Sequence, residues 1–487
     1  MFARPDIRQM AAFINSTSTS VYKPIPVAAQ QAYYPVTPAQ KGLWIQDQFG
    51  SQPALYNMPA AFILEGKLDK AALQKAITIL VIRHESLRTT FVSSGGTVQQ
   101  KIHAVMEVPL STTDLQSVKD PLEAAKKIAM QAMATPFDLQ QGPLIRTQLL
   151  QLAKDRFIFL FNTHHIISDG WSEEILVKEL FTLYAAYSKQ LANPLPPLAI
   201  QYKDYAAWLN TQLSDAVLQE QAQYWQQQFA GELPVLQFPT DYPRPAERTT
   251  NGDVYTFYIP AAITAQLQAC AQQEGASLFM ALAAAVKALL NRFTGQEDMI
   301  IGAPIAGRTH KDVEPLVGLF VNMLALRTQF SSGLTFRQLL NKVKQTVTNA
   351  YAHQHYPFDE LVRALNLEFD NRRAPLTDVW VQLTDAPMTF EDKSDLQVTE
   401  YNPGYLTSKV DLTFKFTAFD DRLQVILEYN TDLFRRETME QLEAHFNYVL
   451  QQLLDNGNLP LSAVTLLTSG EEAAEADDFL NSMYNLS

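Results

Sequence analysis

The residues whose types and spacing could do chemistry lie in one short segment, Thr163–Ser172, which contains the adjacent histidines His164 and His165. The wholly apolar run Phe157–Phe161 precedes this segment, so we expect it at the exit of a buried strand. Ser172 is a good N-cap for a following helix. A strand end that meets a helix N-terminus directs backbone N–H groups towards a position where an oxyanion could develop. The pattern therefore marks a candidate site for chemistry at an imidazole.

Three interpretations of the two histidines remain open at this point. Because successive residues of a strand point to opposite faces, His164 and His165 would not share one ion, and no metal site is expected. Two histidines satisfied within the core are the plainest interpretation. The third is one inward imidazole that acts as a base or hydrogen-bonding group while Asp169 holds the turn. A covalent acyl-enzyme is not expected, because no G-x-S-x-G motif is present and Cys270 lies in a predicted helix with nothing to activate it.

Two parts of the chain predict the same order of strand, turn, strand, loop and helix. In the first part these elements are Leu144–Leu152, Arg156–Asn162 and a helix over Glu173–Leu191. In the second part they are Leu412–Ala418, Leu423–Tyr429 and a helix over Arg436–Leu453. The repeat predicts two similar α/β lobes rather than three unrelated domains of about 150 residues.

Composition excludes several classes of protein. The 487 residues include 38 Lys and Arg against 51 Asp and Glu, a net charge of −13, and no basic run that would neutralise phosphates, so no nucleic-acid partner is expected. The single cysteine excludes a disulfide framework and fits a reducing cytosol. No stretch reaches the roughly 18 apolar residues of a membrane span, and we expect no export signal at the N-terminus. We therefore expect a cytoplasmic protein that does not associate with a membrane.

At this point His164–Gly170 resembles the HHxxxDG signature of the condensation domains of nonribosomal peptide synthetases. Six further segments are similar to motifs of the same family and occur in the family's order. They are Thr37–Trp44 (the opening motif), Arg83–Phe91 (RHExLRTxF), Tyr202–Trp208 (YxDYAxW), Val317–Asn322 (GxFVN), His353–Asp359 (HQDxPFE) and the degenerate Asp370–Leu376. Seven ordered motifs over most of the chain make the resemblance specific.

The chain departs from the family pattern at three positions. His355 replaces the usual Asp, Asp359 replaces the usual Glu, and Phe369 stands where an Arg is expected. The loop of the second lobe that corresponds to the histidine segment, Asn430–Asp432, has no histidine. Only the first lobe is therefore expected to carry the active site.

The resemblance implies a fold and a reaction. The fold is two chloramphenicol-acetyltransferase-like α/β lobes in a V with a tunnel at their junction, bridged near Gly302–Arg308 and Ala386–Lys409. The reaction is peptide-bond formation between two thioesters carried on the 4'-phosphopantetheine arms of upstream and downstream peptidyl carrier domains. The domain itself would bind no cofactor. His165 would take a proton from the attacking amine or hydrogen-bond the tetrahedral intermediate.

The resemblance also implies roles for the residues around His165. Asp169 would pair with an arginine, Arg88 rather than Arg83, and Gly170 would let the backbone approach the substrate. The other expected site residues support the histidine or line the tunnel: His164, Ser168, Trp171 and Asn322. We expect Tyr202, Asp204 and Trp208 to be structural, because aromatic residues at helical spacing are usually core.

The resemblance assigns the ends of the chain and a subtype. We expect the last helix of a peptidyl carrier protein at 1–14, a linker at 15–34, lobes at 35–200 and 201–467, and a linker towards an adenylation domain at 468–487. Ser168 before Asp169, with Leu55–Pro59 upstream, is similar to domains that join an L donor to an L acceptor. The alternatives are another acyltransferase of the same superfold and a non-catalytic condensation-like domain that docks carrier proteins or recruits a partner enzyme.

Overall fold

The computed structural model describes residues 22–49, 54–213, 215–367, 370–385, 396–404, 407–419 and 421–466. The expected carrier helix at 1–14, the first part of the linker at 15–34, the tail at 468–487 and Phe369 lie outside the described residues. Those assignments, and the division into lobes at residue 200, stay predictions.

Two mixed sheets with helices packed on them form the body, as the fold class predicts. The strands are β1 Tyr34–Pro35, β2 Asn57–Gly66, β3 Thr89–Ser94, β4 Thr97–Ile102, β5 Leu110–Asp114, β6 Ile145–Ala153, β7 Arg156–His164, β8 Gly252–Ile259, β9 Asp298–Ile305, β10 Asn322–Gln329, β11 Val379–Asp385, β12 Leu396–Glu400, β13 Leu412–Ala418 and β14 Leu423–Asn430. The helices are α1 Pro38–Phe49, α2 Lys70–Arg83, α3 Pro121–Ala134, α4 Gly170–Ser188, α5 Tyr202–Gln212, α6 Asp215–Gln228, α7 Ala261–Gln273, α8 Leu278–Thr294, α9 Phe336–Ala352, α10 Phe358–Ala364 and α11 Arg436–Asp455.

The first lobe is built on a five-stranded sheet in the order β12-β2-β7-β6-β5, beside a small sheet in the order β1-β4-β3. The middle of β7, Phe157–Phe161, is wholly apolar and buried, as expected of a strand whose two faces are both covered. Phe157, Phe159 and Phe161 pack in the core that includes α2 and α4, whereas Ile158 and Leu160 pack against α3. The β6–β7 hairpin predicted from the sequence is confirmed.

The second lobe is built on a six-stranded sheet in the order β10-β9-β11-β13-β14-β8. The β13–β14 hairpin and the helix that follows it are confirmed. Helix α8 begins after the N-cap Ser277 and ends before Gly295, which adopts the left-handed conformation that glycine favours. Among the described residues no single helix is long and apolar enough to cross a membrane; α7 and α8 meet that measure only as a pair, which is bent by 110°.

The predicted bridge over Ala386–Lys409 is confirmed in its described part, whereas near Gly302–Arg308 the chain stays in the second sheet and the lobes are joined by a side chain. After β11 in the second sheet the chain returns as β12, which pairs antiparallel with β2 at the edge of the first sheet, for example Val398 with Leu64. The chain then goes back to β13 in the second sheet. At the second of these places, Arg308 follows β9 and forms an ion pair with Asp169 of the first lobe. The two lobes are therefore joined both by a backbone strand and by an ion pair.

One lysine is buried in the centre of the second lobe. Lys287 on α8 is fully buried, and its Nζ donates to the carbonyl oxygens of Met299 at 3.2 Å and Leu326 at 2.9 Å. Burial lowers the pKa of Lys287 to about 7, against the opposing attraction of Asp298. An unfolded chain binds this proton up to its ordinary pKa of 10.5, so between those values the unfolded state holds more protons.

We therefore expect the stability of the fold to contain a contribution that rises from pH 7 towards pH 10 and that Lys287→Met removes. The difference in free energy of unfolding between wild type and variant should change by roughly 2 kcal/mol from pH 7 to pH 9, as the linkage relation gives for this shift. Urea unfolding of both proteins at each pH measures it. The exposed Lys154→Met is the matched control, and a pH-independent difference for Lys287→Met would contradict the prediction.

Candidate functional site

The two histidines lie where β7 leaves the first sheet. β7 ends at His164, one turn of 3₁₀-helix covers His165–Ile167, and α4 begins at Gly170. The prediction that Ser172 is the N-cap is wrong. Asp169 caps the helix, and its Oδ1 accepts the Ser172 N–H at 2.8 Å. The Ser172 hydroxyl is already used, because it bonds the backbone of Gly318 in the second lobe.

His165 is held in one tautomer. Its backbone N–H donates to the carbonyl oxygen of Tyr56 at 2.8 Å, and its Nδ1 lies 2.8 Å from the carbonyl oxygen of Ser168. Because a carbonyl only accepts, Nδ1 carries the proton in the neutral ring and Nε2 keeps its lone pair. Burial and then the positive charge of Lys409 lower the pKa of His165 to about 4, although Ser168 and Asp169 oppose this. His165 is therefore a neutral imidazole at pH 7 with Nε2 as its basic nitrogen.

His164 is a buried packing residue. Its Nδ1 accepts the N–H of Ile166 at 3.1 Å, and its ring lies edge-on to Phe137 and Tyr56, with centroids 6.1 and 6.5 Å away. Burial, His165 and Lys409 together lower its pKa to about 3. Among the described residues no group of three or more His, Cys, Asp or Glu side chains could hold a metal ion.

Asp169 is buried at the junction of the lobes, and its carboxylate also reaches the second lobe. Oδ1 accepts from Nη2 of Arg308 at 3.1 Å, and Oδ2 accepts the backbone N–H of Phe320 at 3.0 Å. Arg308 in turn donates to the Ser172 hydroxyl at 2.8 Å and to the carbonyl oxygen of Leu316 at 2.8 Å. Its guanidinium lies 4.0 Å from the centroid of the Phe320 ring. The carboxylate is thus fully satisfied and acts as a structural anchor.

The expected pairing of Asp169 with Arg88 is wrong. Arg88 pairs with Glu85 at 3.2 Å and donates to the carbonyl oxygen of His103 at 2.5 Å, so it joins the turn after α2 to the segment after β4. Arg83 pairs with Glu179 on α4. Both arginines serve the packing of the first lobe, and the partner of Asp169 comes from the second. The sequence signal for Arg308 was its place at the end of the expected bridge Gly302–Arg308.

Ser168 and Gly170 flank Asp169, and contacts of their own side chains do not explain why these residue types occur there. The Ser168 carbonyl orients His165, while its buried hydroxyl has no hydrogen-bond partner among the described residues. Gly170 is exposed, and a Cβ there would meet no atom of the described residues within 4 Å. Packing among those residues does not require a glycine at this position.

Trp171 and Asn322 are the two expected tunnel residues. The Trp171 side chain is 47% exposed, and its Nε1 donates to the carbonyl oxygen of Glu314 at 3.2 Å. The Asn322 amide donates to the carbonyl oxygens of Gln354 at 2.8 Å and Tyr356 at 3.0 Å, which fixes the loop before α10. Asn322 also borders a cavity of about 50 Å³ between the lobes.

The other motifs tie elements together. The Tyr202 hydroxyl donates to the carbonyl oxygen of Leu319 at 2.5 Å, and its ring occupies the space that a Cβ at Gly318 would need. Asp204 accepts the N–H of Gln201 at 2.7 Å in a capping box at the start of α5. These contacts agree with the structural role expected for α5.

The first and sixth motifs meet across the lobes. A Cβ at position 42 would overlap the carboxylate of Asp359, and Gln46 donates to that carboxylate at 3.1 Å. The Gln46 side chain also accepts from the Tyr56 hydroxyl. Sequence reasoning missed Tyr56, Lys409 and this contact, because each depends on which residues the two lobes bring together.

We expect Asp169 and Arg308 to be thermodynamically coupled, whereas Asp169 and Arg88 are not. Breaking one partner of a buried pair costs about 3–5 kcal/mol, because it leaves a buried charge. In a double-mutant cycle, Asp169→Asn with Arg308→Met should show a coupling energy of about 1–3 kcal/mol in urea unfolding, and Asp169→Asn with Arg88→Met should be additive. Additive costs in the first cycle would contradict the structural assignment.

Comparison with known proteins places this geometry in a family. A family model described as the condensation domain matches residues 30–474. The chain is 40% identical over 472 residues to tyrocidine synthase 3 of Brevibacillus parabrevis and 37% identical over 480 residues to gramicidin S synthase 2 of Brevibacillus brevis. These matches cover 97% and 98% of this chain but only 7% and 10% of those proteins. The chain thus spans a small part of the length of its curated relatives.

Solved structures share the fold. The X-domain from teicoplanin biosynthesis, in its complex with OxyB, superposes with a TM-score of 0.81 at 25% identity, over 93% of this chain and 100% of that one. The first condensation domain of the calcium-dependent antibiotic synthetase superposes with a TM-score of 0.71 at 22% identity, over 90% and 100% of the two chains. With seven motifs in order, a histidine segment at the junction of two lobes and a family match over most of its length, this chain belongs to the condensation-domain family of nonribosomal peptide synthetases.

Proposed function

We propose that this domain forms a peptide bond between two carrier-bound substrates. The α-amine of a downstream aminoacyl thioester attacks the carbonyl carbon of an upstream peptidyl or aminoacyl thioester. The C–N bond forms, the C–S bond breaks, and the sulfur leaves as the thiol of the upstream phosphopantetheine arm after gaining the proton that the amine loses. The phosphopantetheine arms belong to the substrates, and the domain supplies the position and the proton acceptor.

The observation that carries this proposal is the protonation state of His165. A neutral ring whose Nδ1–H is held by Ser168 offers Nε2 as an acceptor at the lobe junction. A pKa of about 4 makes Nε2 a weak base towards a free ammonium group, because an efficient base has a pKa near the working pH. The attacking nitrogen becomes more acidic once it has bonded to the carbonyl carbon. His165 therefore orients the amine by accepting its hydrogen bond and takes the proton as the tetrahedral intermediate forms.

The remaining acceleration comes from positioning. A thioester is already activated, so no covalent nucleophile is required, and holding two reactants in line is worth up to about 7–11 kcal/mol. Helix α4 begins at Gly170, shortly after the 3₁₀ turn that carries His165, and helix N-termini favour negative charge. Because Arg308 neutralises Asp169, that helix terminus can face the oxyanion without repulsion from its own cap. The open space at Gly170 leaves room for the substrate.

The proposed partners are the upstream and downstream peptidyl carrier domains and an adjacent adenylation domain. This chain superposes on 35% of a four-domain nonribosomal peptide synthetase bound to AMP and glycine, with a TM-score of 0.80 at 19% identity, which supports a place for such a domain in a larger assembly. The cytoplasmic location and the specificity for an L donor and an L acceptor also remain part of the proposal.

The second candidate is a condensation-like domain that recruits a partner protein. The similarity to the X-domain that was solved in complex with OxyB favours it. The higher identity to the synthetases and the presence of His165 with Nε2 as its basic nitrogen favour catalysis.

The test is a single-turnover assay with donor and acceptor loaded on separate carrier proteins, read by mass spectrometry of the product on the acceptor carrier. Wild type should form the dipeptidyl product, and His165→Ala should lose about 10²–10⁴-fold in rate. His445→Ala on α11 is the matched control, and circular dichroism checks the fold of each variant. Wild-type inactivity with several loaded pairs that still bind would favour the recruiting domain, and full activity of His165→Ala would refute the role of His165.

A second prediction concerns pH. Because the pKa of His165 is about 4, its neutral form persists at acid pH, and the ratio of the wild-type rate to the His165→Ala rate should stay constant from pH 7.5 to 5.5. The absolute rates of both proteins will fall as the substrate amine, with a pKa of about 8, becomes protonated, and the ratio cancels that effect. A ratio that falls about tenfold by pH 5.5 would show an ordinary histidine pKa of about 6.5 instead.

A further inference from the structure

A short segment before the first strand lies against α5 and the segment 310–320. It consists of residues 22–28, which we call the strap. Ile25 in the middle of the strap is 3% exposed, whereas Pro24 and Pro26 on either side of it are exposed. Each proline has a fixed φ and keeps the residue before it out of the helical region, so the strap loses less conformational entropy when it binds.

The Ile25 side chain is buried in a cluster that α5 and the segment 310–320 form together. The cluster includes Tyr202, Tyr205, Val313, Leu316 and Phe320. The rings of Tyr205 and Phe320 have centroids 4.8 Å apart. Ile25 is therefore part of the apolar contact between the helix and the segment.

Two carboxylates bind the backbone of the strap. Oδ2 of Asp312 accepts the N–H of Ile25 at 2.9 Å, and its Oδ1 accepts from the hydroxyl of Tyr22. Oδ1 of Asp204 accepts the N–H of Ala28 at 2.9 Å, while its Oδ2 belongs to the capping box at the start of α5. Hydrogen bonds to a charged acceptor are the strong ones. The strap is thus held at both ends, by one carboxylate from each of the elements that bury Ile25.

The segment 310–320 also holds the ion pair between the lobes. The carbonyl oxygen of Leu316 accepts from Nη1 of Arg308 at 2.8 Å, and the backbone N–H of Phe320 donates to Oδ2 of Asp169 at 3.0 Å. The Phe320 ring packs in the cluster that contains Ile25, and its centroid lies 4.0 Å from the guanidinium of Arg308. The same segment therefore contacts both the strap and the Asp169–Arg308 pair.

We propose that the strap is a positioning element for peptide-bond formation, with Ile25 and Asp312 as its positioning residues. By binding the segment 310–320, the strap keeps the backbone of Phe320 and the acceptor of Arg308 where the carboxylate of Asp169 needs them. Asp169 caps α4 just after the turn that carries the catalytic imidazole, so releasing the strap loosens that turn. The strap acts through the ion pair and touches no reacting atom. The inference rests on the proposed function and adds to it a dependence on residues 22–28.

The first test measures opening of the segment in the full chain, by hydrogen exchange read with mass spectrometry. Ile25→Asn places an amide in the apolar cluster, and Asp312→Ala removes both acceptor oxygens. In both variants the amides of residues 313–322 should exchange about tenfold faster or more, because the loss of a hydrogen bond to a charged group changes an opening equilibrium by about that factor. Peptides from β6 and β7 should exchange as in wild type.

The matched controls are Val27→Asn, at a strap side chain that is 69% exposed, and Lys311→Ala, at the exposed neighbour of Asp312. Both should exchange like wild type. Asp312→Asn keeps the shape of the side chain and is the milder variant, with the same pattern expected at a smaller size if the stronger variants unfold. Wild-type exchange of residues 313–322 in Ile25→Asn and Asp312→Asn would overturn the inference.

The second test measures single turnover with donor and acceptor loaded on separate carrier proteins. Ile25→Asn and Asp312→Ala should lower the rate at saturating carrier concentration by about 10- to 100-fold, because a misplacement of about 1 Å can cost 10²-fold. The carrier concentration that gives half of this rate should stay that of wild type, and Ile25→Val should keep the wild-type rate. A normal rate in variants whose segment exchanges fast, or a change in the half-saturating concentration alone, would overturn the inference.

A third measurement separates positioning from a general loss of stability. Arg308→Met breaks the ion pair by itself, so adding Ile25→Asn should slow turnover little further, whereas a strap that acts independently of the pair would multiply the two losses. Multiplied losses would overturn the inference. Full turnover of His165→Ala, together with fast exchange in the strap variants, would instead refute the proposed function and leave the hold of the strap on the segment 310–320 standing.

Discussion

The buried ion pair between Asp169 and Arg308 is the constraint on which the site depends. Its carboxylate caps α4, holds the backbone of Phe320 and receives a guanidinium from the other lobe, so three elements are fixed by one side chain. Such a pair contributes little net stability when compared with apolar residues, but it tolerates only one arrangement of its partners. The position of the adjacent imidazole is consequently determined by the contact between the lobes as much as by the strand that carries it.

Both lobes supply the electrostatics of a histidine that belongs to only one of them. The first lobe provides the strand end, the Ser168 carbonyl that selects the tautomer and the Tyr56 carbonyl that holds the backbone. The second lobe provides Arg308, and the chain that returns to it after β12 provides Lys409, whose Nζ lies 5.7 Å from the centroid of the Tyr56 ring. Burial is the main reason that the imidazole stays neutral and weakly basic beside a carboxylate, and Arg308 pairs with the negative charge of Asp169.

The sequence predicts the local elements and the identity of His165 well, because a buried strand, a capped helix and an ordered set of motifs are local signals. It also predicts the bridge over Ala386–Lys409, though not its chemistry. The sequence predicts the wrong partner for Asp169, because Arg88 lies in a family motif, whereas Arg308 is 139 residues away along the chain from Asp169. The contact between Lys409 and the Tyr56 ring carries no local signal; it depends on the register of β12 against β2, which sets where the returning chain passes.

The exchange of β12 between the lobes also bears on how such domains can be recombined. A chimera joined at the connection between the lobes would combine the first sheet of one parent with the edge strand, the guanidinium and the ammonium of the other. The strand would have to match a foreign edge residue by residue, and the two cations would meet a histidine segment shaped by a different neighbour. We therefore expect that both lobes must come from the same parent domain for activity. A splice within the domain would transfer a binding surface without the charged residues that surround it in its parent.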